Sequence, residues 1–249
     1  MRLLIRAFPY FFAFAAALQL GVYAIAAPTA PHEREQIEQI IHDYLLKNPE
    51  ILIEALQSAE AKQTQDQRAT ARTAIAARRD ELLNDPSAPS AGNPTGDVTI
   101  VEFFDYRCPY CKKVAPSVEA LLQEDPKLRV VYKEFPILGS ESIFAARAAF
   151  AANKQGKYKP FHSAMMAATG QITEEVVLKI AAEVGLDIAK MKTDMKAPEI
   201  DEIIKRNYDL ANALGIHGTP SFIIGDSLVP GAVELATLRQ MVAAARKPD

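Results

Sequence analysis

The stretch 98–111, VTIVEFFDYRCPYC, decides the fold of this chain. Val98–Phe104 is a nearly continuous apolar run with one acid, Glu102, which is typical of a strand buried on both faces. Cys108 follows after three residues, and Pro109 is the residue type favoured at the first position of a helix. The sequence therefore predicts a buried strand, a tight connection, and a helix that begins at the first of two cysteines.

The two cysteines, Cys108 and Cys111, are predicted to have different roles. At the N-cap of a helix, the Cys108 sulfur lies beside unpaired backbone N–H groups and the positive end of the helix dipole. Both stabilise a thiolate, so we expect the Cys108 pKa to fall below the ~8.5 of a free cysteine. Cys111 lies one turn deeper on the same helical face and is more shielded. Cys108 is therefore predicted to attack the substrate, and Cys111 to resolve the mixed disulfide.

The sequence favours a structural disulfide or a metal site at this Cys-x-x-Cys pair less than it favours thiol–disulfide exchange. A disulfide closing so small a loop constrains the unfolded chain little. A zinc site needs three or four protein ligands, and neither His162 nor His217 has a spacing that commits it to the pair. We therefore expect no metal and no cofactor beyond the redox-active disulfide Cys108–Cys111. A Cu(I) site shared between subunits remains an alternative, because two thiolates suit that ion.

The composition is that of an ordinary globular protein. The chain has 249 residues, of which 49% are hydrophobic and 24% charged, and its formal net charge is −3. Lys and Arg are scattered along the sequence, so nothing predicts a nucleic-acid partner.

The N-terminus is predicted to be a signal peptide spanning residues 1–26. Arg2 and Arg6 precede the apolar stretch Ala7–Leu18, and Ala24-Ile25-Ala26 is a small-x-small cleavage site. The alternative is an uncleaved membrane anchor. With either outcome the rest of the chain would face an oxidising compartment, where disulfides form.

Residues 27–84 are predicted to form a helical segment. Apolar residues recur from Ile37 to Leu45 at three- and four-residue spacing, and Asn48-Pro49 interrupts the pattern before a second helix. We interpret residues 33–60 as an oligomerisation arm that packs against copies of itself. Ala61–Leu83 offers little apolar surface and is interpreted as a solvated spacer helix.

A proline-rich linker or strap over residues 85–96 precedes the main domain, 97–249. This domain is predicted to contain a second strand after the cysteine helix, several helices, a hairpin and a closing helix. The predicted elements are strands 98–104, 128–135, 221–224 and 227–229, and helices 108–124, 140–154, 158–168, 173–184, 187–195, 199–214 and 234–246. This order predicts the α/β class: a thioredoxin-like fold with a helical insertion at about 139–197.

Two further positions carry alternative interpretations. Pro220 either simply opens a strand, or a cis Thr219-Pro220 peptide presents backbone groups for substrate pairing beside the sulfurs. Glu102 either faces water at an edge position, or is a buried carboxyl of raised pKa that exchanges a proton with Cys111.

The motif FFDYRCPYCK at 103–112, the distant Thr219-Pro220 and the intervening helices resemble the DsbA family of periplasmic thiol oxidoreductases. The resemblance covers roughly residues 97–246. It implies that Cys108 is the nucleophile, that Cys111 resolves, that Pro220 is cis, and that Glu102 is the buried acid of thioredoxin-like folds. Including the N-terminal helices, the chain looks most like the suppressor of copper sensitivity protein C subgroup, which implies oligomerisation, disulfide isomerase activity and copper tolerance.

The residues between the cysteines depart from the archetypal oxidase of that family, because Pro109-Tyr110 replaces Pro-His. Together with Thr219, this change favours a periplasmic disulfide isomerase or reductase acting on exported cysteine-containing proteins, with a membrane redox partner. A monomeric dithiol oxidase and a copper-binding or redox-buffering protein remain the alternatives.

Overall fold

A computed structural model describes residues 31–246 of the chain. The predicted signal peptide, 1–26, lies outside these described residues. Within 31–246, no helix is long and apolar enough to cross a membrane. The chain divides after Ser58 into two compact units.

The described part of the first unit consists of helix α1 (Pro31–Lys47) and the beginning of helix α2 (Pro49–Ala77). The break falls at Asn48-Pro49, as the sequence predicts, because proline is well tolerated in the first turn of a helix but weakens a helix interior. Large apolar side chains of this unit are exposed to solvent: Ile37, Ile40, Ile41, Tyr44, Leu46, Leu52, Ile53 and Leu56.

A five-stranded mixed sheet forms the centre of the second unit, in the order β1-β3-β2-β4-β5. Its strands are β1 (Ser90–Gly92), β2 (Val98–Phe104), β3 (Leu128–Glu134), β4 (Ser221–Ile224) and β5 (Ser227–Pro230). Only β2 and β3 run parallel, and the other neighbours are antiparallel. In the two-residue turn between β4 and β5, Gly225 has a φ of 59°, a conformation that glycine adopts readily.

Helices cover both faces of the sheet. Those that follow α2 are α3 (Arg79–Leu83), α4 (Pro109–Glu124), α5 (Ser140–Lys154), α6 (Tyr158–Ala167), α7 (Glu174–Glu183), α8 (Ile188–Asp194), α9 (Pro198–Ala213) and α10 (Leu235–Ala245). Side chains from α4–α8 and α10 pack on the face that carries Ile100 and Phe104. Side chains from α2, α3 and α9 pack on the opposite face, which carries Val101 and Phe103.

This architecture confirms the predicted α/β thioredoxin-like class with a helical insertion. The insertion, α5–α8, lies between β3 and α9. The predicted elements of the main domain are present, with ends that differ by one or two residues. Phe103, Phe104, Phe135 and Phe222 are buried in the core.

The prediction that Ala61–Leu83 is a solvated spacer is wrong for its C-terminal part. Ile75 and Leu82 are each only 1% exposed and belong to the core cluster that contains Val101 and Phe103. Because most residues around them are Ala, Arg, Gln or Asp, the apolar face is too sparse to be recognised without the sheet it covers.

The predicted linker or strap over 85–96 is tied to the sheet. Ser90–Gly92 forms the edge strand β1, which pairs with β3. Asp85 forms an ion pair of 2.6 Å with Lys133, a β3 residue that is buried. The segment therefore joins the helices before it to the central sheet.

Candidate active site

Cys108 and Cys111 lie at the N-terminal end of α4, just after the short loop that connects β2 to α4. Cys108 is the N-cap of α4 with extended backbone dihedrals, and Pro109 occupies the first helical turn. Cys108 is 4% exposed and Cys111 is fully buried, and both are free thiols. The predicted difference in depth between the two sulfurs is therefore present.

The surroundings of Cys108 favour its thiolate. A hydrogen bond from the Cys111 thiol is the main cause that lowers the Cys108 pKa to about 5, against the opposing effect of burial. The Thr219 side chain and the backbone N–H groups of Tyr110 and Cys111 lower this pKa further. The Cys108 thiol does not form a helix-capping hydrogen bond. The backbone N–H groups therefore stabilise the negative charge that appears on the sulfur after deprotonation.

The Thr219-Pro220 peptide bond is cis and lies against Cys108. In the thiol form, Cys108 Sγ donates a hydrogen bond to the Thr219 carbonyl oxygen over 3.2 Å. Pro220 is buried directly before β4, and its carbonyl accepts a hydrogen bond from the Gly231 N–H. Of the two interpretations of this dipeptide, the arrangement matches the one in which it stands beside the sulfurs.

Glu102 is 2% exposed and lies on central strand β2, between Tyr132 of β3 and Phe222 of β4. Burial raises its pKa to about 8. The interpretation of Glu102 as a water-facing edge residue is therefore wrong, because the strand is paired on both sides and covered by helices. Its negative charge also raises the pKa of the Cys111 thiol, to which burial makes the larger contribution.

A cavity of about 320 Å³ opens beside this carboxyl, between β2, β3, α4 and α6. Glu102 lines it together with Tyr132, Lys112, Glu119 and Lys159. The Glu102 Oε1 atom makes no hydrogen bond with any residue in 31–246. A buried carboxyl oxygen without a protein partner next to such a space can accept a hydrogen bond from a water molecule in it.

Asp105 holds the connection between β2 and α4, a role that the sequence analysis missed. Its carboxylate accepts hydrogen bonds from the Arg107 N–H, the Leu138 N–H and the Ser142 hydroxyl. Its backbone carbonyl accepts from the Cys108 N–H over 3.0 Å. An aspartate directly after an apolar strand is the signal that could have found this role, because Asp side chains commonly cap turns.

A buried polar cluster on the α6 side of the sheet was also missed. The hydroxyls of Tyr106 and Tyr158 both donate to Glu134 Oε1, over 3.1 and 2.9 Å. Tyr106 also lies 3.2 Å from Nδ1 of His162, whose pKa burial lowers to about 3. His162 is therefore a neutral partner in this cluster, and a histidine in an apolar helix gave no sequence signal of that arrangement.

Among residues 31–246, no group of three or more His, Cys, Asp or Glu side chains is arranged to hold a metal ion. His217 is exposed and His162 is occupied by the tyrosine cluster. Tyr110, between the cysteines, is 62% exposed.

Comparison with known proteins agrees with this geometry. Residues 99–243 match the model of the DSBA-like thioredoxin domain. The chain belongs to this family. Residues 33–65 match a second model, the copper resistance protein ScsC N-terminal domain, so the helical segment before the thioredoxin domain also has relatives.

Solved structures that are similar to this chain cover most of it. A thioredoxin-like oxidoreductase from Silicibacter pomeroyi DSS-3 is 54% identical, with a TM-score of 0.67 over 69% of this chain and 99% of its own. Proteus mirabilis ScsC in a transitional conformation is 27% identical, with a TM-score of 0.65 over 87% of this chain and 98% of its own.

Curated relatives include a probable disulfide bond formation protein D from Bacillus anthracis, which is 30% identical over 56% of this chain and 70% of its own length. The chain also matches Na(+)/H(+) antiporters named NhaA, but spans only about a quarter of their length. In Herminiimonas arsenicoxydans the match is 29% identical over 63% of this chain and 25% of that protein.

Proposed function

We propose that this DSBA-family oxidoreductase exchanges disulfides with exported cysteine-containing proteins and acts chiefly as an isomerase or reductase. The observation that carries the proposal is the pairing of a thiolate-stabilised Cys108 at the start of α4 with a buried Cys111 one turn later. A low thiol pKa next to a shielded second thiol is the arrangement that nucleophilic attack followed by internal resolution requires.

The reductive direction proceeds in two displacements. The Cys108 thiolate attacks one sulfur of a substrate disulfide, which forms the Cys108–substrate bond and releases the other substrate sulfur as a thiolate. Cys111 then loses its proton and attacks Cys108 Sγ, which forms Cys108–Cys111 and releases the second substrate thiolate. The substrate gains two electrons, and a redox partner must reduce the new disulfide. In isomerisation the released substrate thiolate instead attacks a second disulfide of the same substrate, and the thiolate that this attack frees displaces Cys108 from the mixed disulfide. Cys108 is regenerated as a thiolate, and no net electrons are transferred.

Glu102 is proposed to take the proton of Cys111. Deprotonating a buried thiol is unfavourable, and the pKa of Glu102, about 8, lets this carboxyl exchange protons near neutral pH. The Glu102 charge raises the pKa of the Cys111 thiol, so the ionisations of the two groups are coupled. The pH dependence of the resolution step should therefore contain an inflection that belongs to Glu102.

The isomerase or reductase preference rests on three features. Tyr110 stands where the archetypal oxidase has a histidine, Thr219 precedes the cis proline, and an exposed apolar stripe runs along α1 and the start of α2. Exposed apolar faces of this kind are typical of surfaces that associate. We propose that residues 33–60 join copies of the chain, which places several dithiols around one misfolded substrate.

Single-cysteine variants test the proposed roles. Cys108→Ser should abolish exchange, because the attacking thiolate is lost. Cys111→Ser should accumulate mixed disulfides with substrates, since nothing displaces them. The two products can be separated by electrophoresis without reductant, followed by mass spectrometry of the joined peptides. A mixed disulfide formed through Cys111 in the Cys108→Ser variant would reverse the assignment.

Scrambled ribonuclease distinguishes isomerase from oxidase. We expect the wild-type protein to restore activity to the scrambled enzyme in a mildly reducing thiol buffer, where the dithiol stays reduced. The matched assay is oxidation of a reduced two-cysteine peptide by the disulfide form. Fast peptide oxidation without recovery of ribonuclease activity would favour the dithiol oxidase.

Copper binding is a second candidate, favoured by the match of residues 33–65 to a copper resistance protein domain. The two thiols lie within one helical turn, and thiolates are the ligands that Cu(I) prefers. Titration of the reduced protein with Cu(I) against a competing chelator, with Cys108→Ser as control, tests this role. Loss of Cu(I) binding in Cys108→Ser would support it, and equal binding by both proteins would exclude the dithiol as the site.

Export to the periplasm is proposed from the signal features of residues 1–26, together with a membrane redox partner that resets the dithiol. Fractionation of cells producing the full chain, with the N-terminus of the mature protein sequenced, tests both cleavage after Ala26 and release from the membrane. A chain that keeps residues 1–26 in the membrane fraction would instead be anchored.

A further inference from the structure

The cavity beside Glu102 is lined by charged side chains that have no role in the proposed exchange so far. Its walls come from the strands that carry Glu102 and Tyr132 and from helices α4 and α6. The Glu102 carboxyl lines this space, is 2% exposed and leaves Oε1 without a hydrogen-bond partner among residues 31–246. A buried carboxyl in this state responds strongly to any charge that shares the cavity, because little solvent separates them.

Lys159, on α6 in the helical insertion, supplies such a charge. Its Nζ atom lies 5.8 Å from the centroid of the Tyr132 ring and 3.5 Å from the Tyr132 hydroxyl. Tyr132 is the β3 residue directly beside Glu102 in the parallel pairing. Lys159 also forms an ion pair with Glu119 of α4, so its side chain bridges the two helices that border the cavity.

Other titratable groups around Glu102 are constrained in ways that make them poorer candidates. Lys112 of α4 donates hydrogen bonds from Nζ to the carbonyls of Met165 and Ala168. His162 of α6 is neutral near pH 7, because burial lowers its pKa to about 3. Burial raises the pKa of the Tyr132 hydroxyl, of the Cys111 thiol and of the Glu134 carboxyl, which favours the uncharged form of each. Glu119 is paired with Lys159, whose positive charge lowers the Glu102 pKa.

We propose that Lys159 is a positioning residue that sets the protonation equilibrium of Glu102, and through it the rate at which Cys111 becomes a nucleophile. This inference rests on the proposed function, since it requires Glu102 to take the Cys111 proton. The ammonium group stabilises the Glu102 carboxylate, the form that can accept a proton. The proton moves from Cys111 Sγ to Glu102, and the thiolate then attacks Cys108 Sγ.

A charge series at Lys159 tests the inference in the full chain. The readout is the single-turnover rate at which Cys111 releases a chromogenic aromatic thiol from its mixed disulfide with Cys108, measured against pH. Lys159→Met should move the inflection upward by about one pH unit, the usual effect of removing a neighbouring charge. Lys159→Glu should move it further in the same direction, and Lys159→Arg should leave it near the wild-type position.

The matched control is Lys179→Met, which removes an equal charge from an exposed pair with Glu183 on α7, outside the cavity lining. We expect no shift of the inflection in this control. The Cys108 pKa, followed by thiolate absorbance, should stay the same in every variant. A general disruption of the site would change this pKa as well. Lys159→Gln provides a second neutral variant if Lys159→Met does not fold.

Glu102→Gln separates failure of the inference from failure of the proposed function. If this variant abolishes the inflection and the neutral Lys159 variants leave it in place, the role of Lys159 is wrong and the Glu102 relay stands. If the inflection persists in Glu102→Gln, another group titrates there, and both the relay and the role of Lys159 are wrong.

Discussion

At the level of single residues, the two cysteines have opposite thiol chemistry although only two residues separate them. Cys108 faces helix N–H groups, the Cys111 thiol and Thr219, which together stabilise a negative charge. Cys111 is buried in the hydrophobic core, and both this burial and the charge of the Glu102 carboxyl disfavour a negative charge on its sulfur. The same dithiol therefore contains one sulfur that attacks readily and one that must wait for proton transfer.

The thiolate of Cys108 should make the reduced protein more stable at neutral than at acidic pH. A folded-state pKa of about 5 lies below the unfolded value, so the contribution is complete above the unfolded pKa and is lost as pH falls through about 5. Near pH 7 it amounts to about 3 kcal/mol. Urea unfolding of the reduced protein between neutral pH and pH 5 should show this loss.

The control for this prediction is Cys108→Ser, which has no thiolate at position 108. Its free energy of unfolding should change less over the same pH range, and the difference between the two proteins isolates the contribution of Cys108. Equal pH dependence in both would mean that the Cys108 pKa is not depressed in the folded protein.

Replacing Thr219 tests the part of the stabilisation that comes from the cis-proline loop. Thr219→Val removes the side-chain hydrogen bond that favours the Cys108 thiolate, so the Cys108 pKa should rise, by up to about one unit. Thiolate absorbance against pH measures this directly. Thr219→Ser keeps a hydroxyl and should retain the low pKa, and an unchanged pKa in the valine variant would contradict the assigned contact.

At the level of elements, helix α2 changes character along its length. Its first turns expose Leu52, Ile53 and Leu56, whereas Ile75 near its C-terminal end is buried against the sheet. The strap that follows α3 extends this attachment through the Asp85–Lys133 ion pair and the pairing of β1 with β3. The end of α2, helix α3 and the strap therefore belong to the fold of the catalytic unit, whereas residues 59–70 are exposed as the spacer prediction requires.

Truncating Ile75 should destabilise the catalytic unit. Ile75→Ala leaves a space in the cluster around Val101 and Phe103, and should lower the free energy of unfolding by about 2–5 kcal/mol. Leu52→Ala on the same helix is the matched control, because its side chain is exposed. Chemical denaturation at low protein concentration should show a clearly smaller loss for Leu52→Ala, and similar losses would contradict the assigned difference in burial.

At the level of the whole molecule, the division after Ser58 specifies where the proposed arm can be removed. Deleting residues 28–58 removes the exposed apolar stripe and keeps Ile75, Leu82 and the strap. Deleting 28–83 also removes core side chains. The two deletions therefore separate the effect on assembly from the effect on folding.

We expect the protein lacking 28–58 to be a folded monomer that still exchanges disulfides with small peptides. Its activity on scrambled ribonuclease should fall, because a monomer presents only one dithiol to each substrate molecule. Multi-angle light scattering gives the mass of each particle, and an unchanged number of chains after this deletion would exclude the arm. The 28–83 deletion should unfold at lower denaturant concentration, since it loses Ile75 and Leu82.

Sequence by itself determined the elements with strong local signals. The strand of Val98–Phe104, the proline at the start of the cysteine helix and the apolar period of each later helix fixed the order of elements and hence the fold class. The same local logic placed Cys108 at a helix N-terminus and predicted its lowered pKa. These features depend on neighbours within a few residues, so the amino-acid order contains them.

Only the tertiary structure decided which distant side chains meet. The burial of Glu102 depends on β3, β4 and two helices. Nothing in the sequence around Glu102 or around Lys159 indicates that these two side chains line the same cavity. Ile75 and Leu82 likewise became core residues only because the sheet covers them. Pairing across long sequence separations fixes both burial and electrostatic environment, and local periodicity contains no information about either.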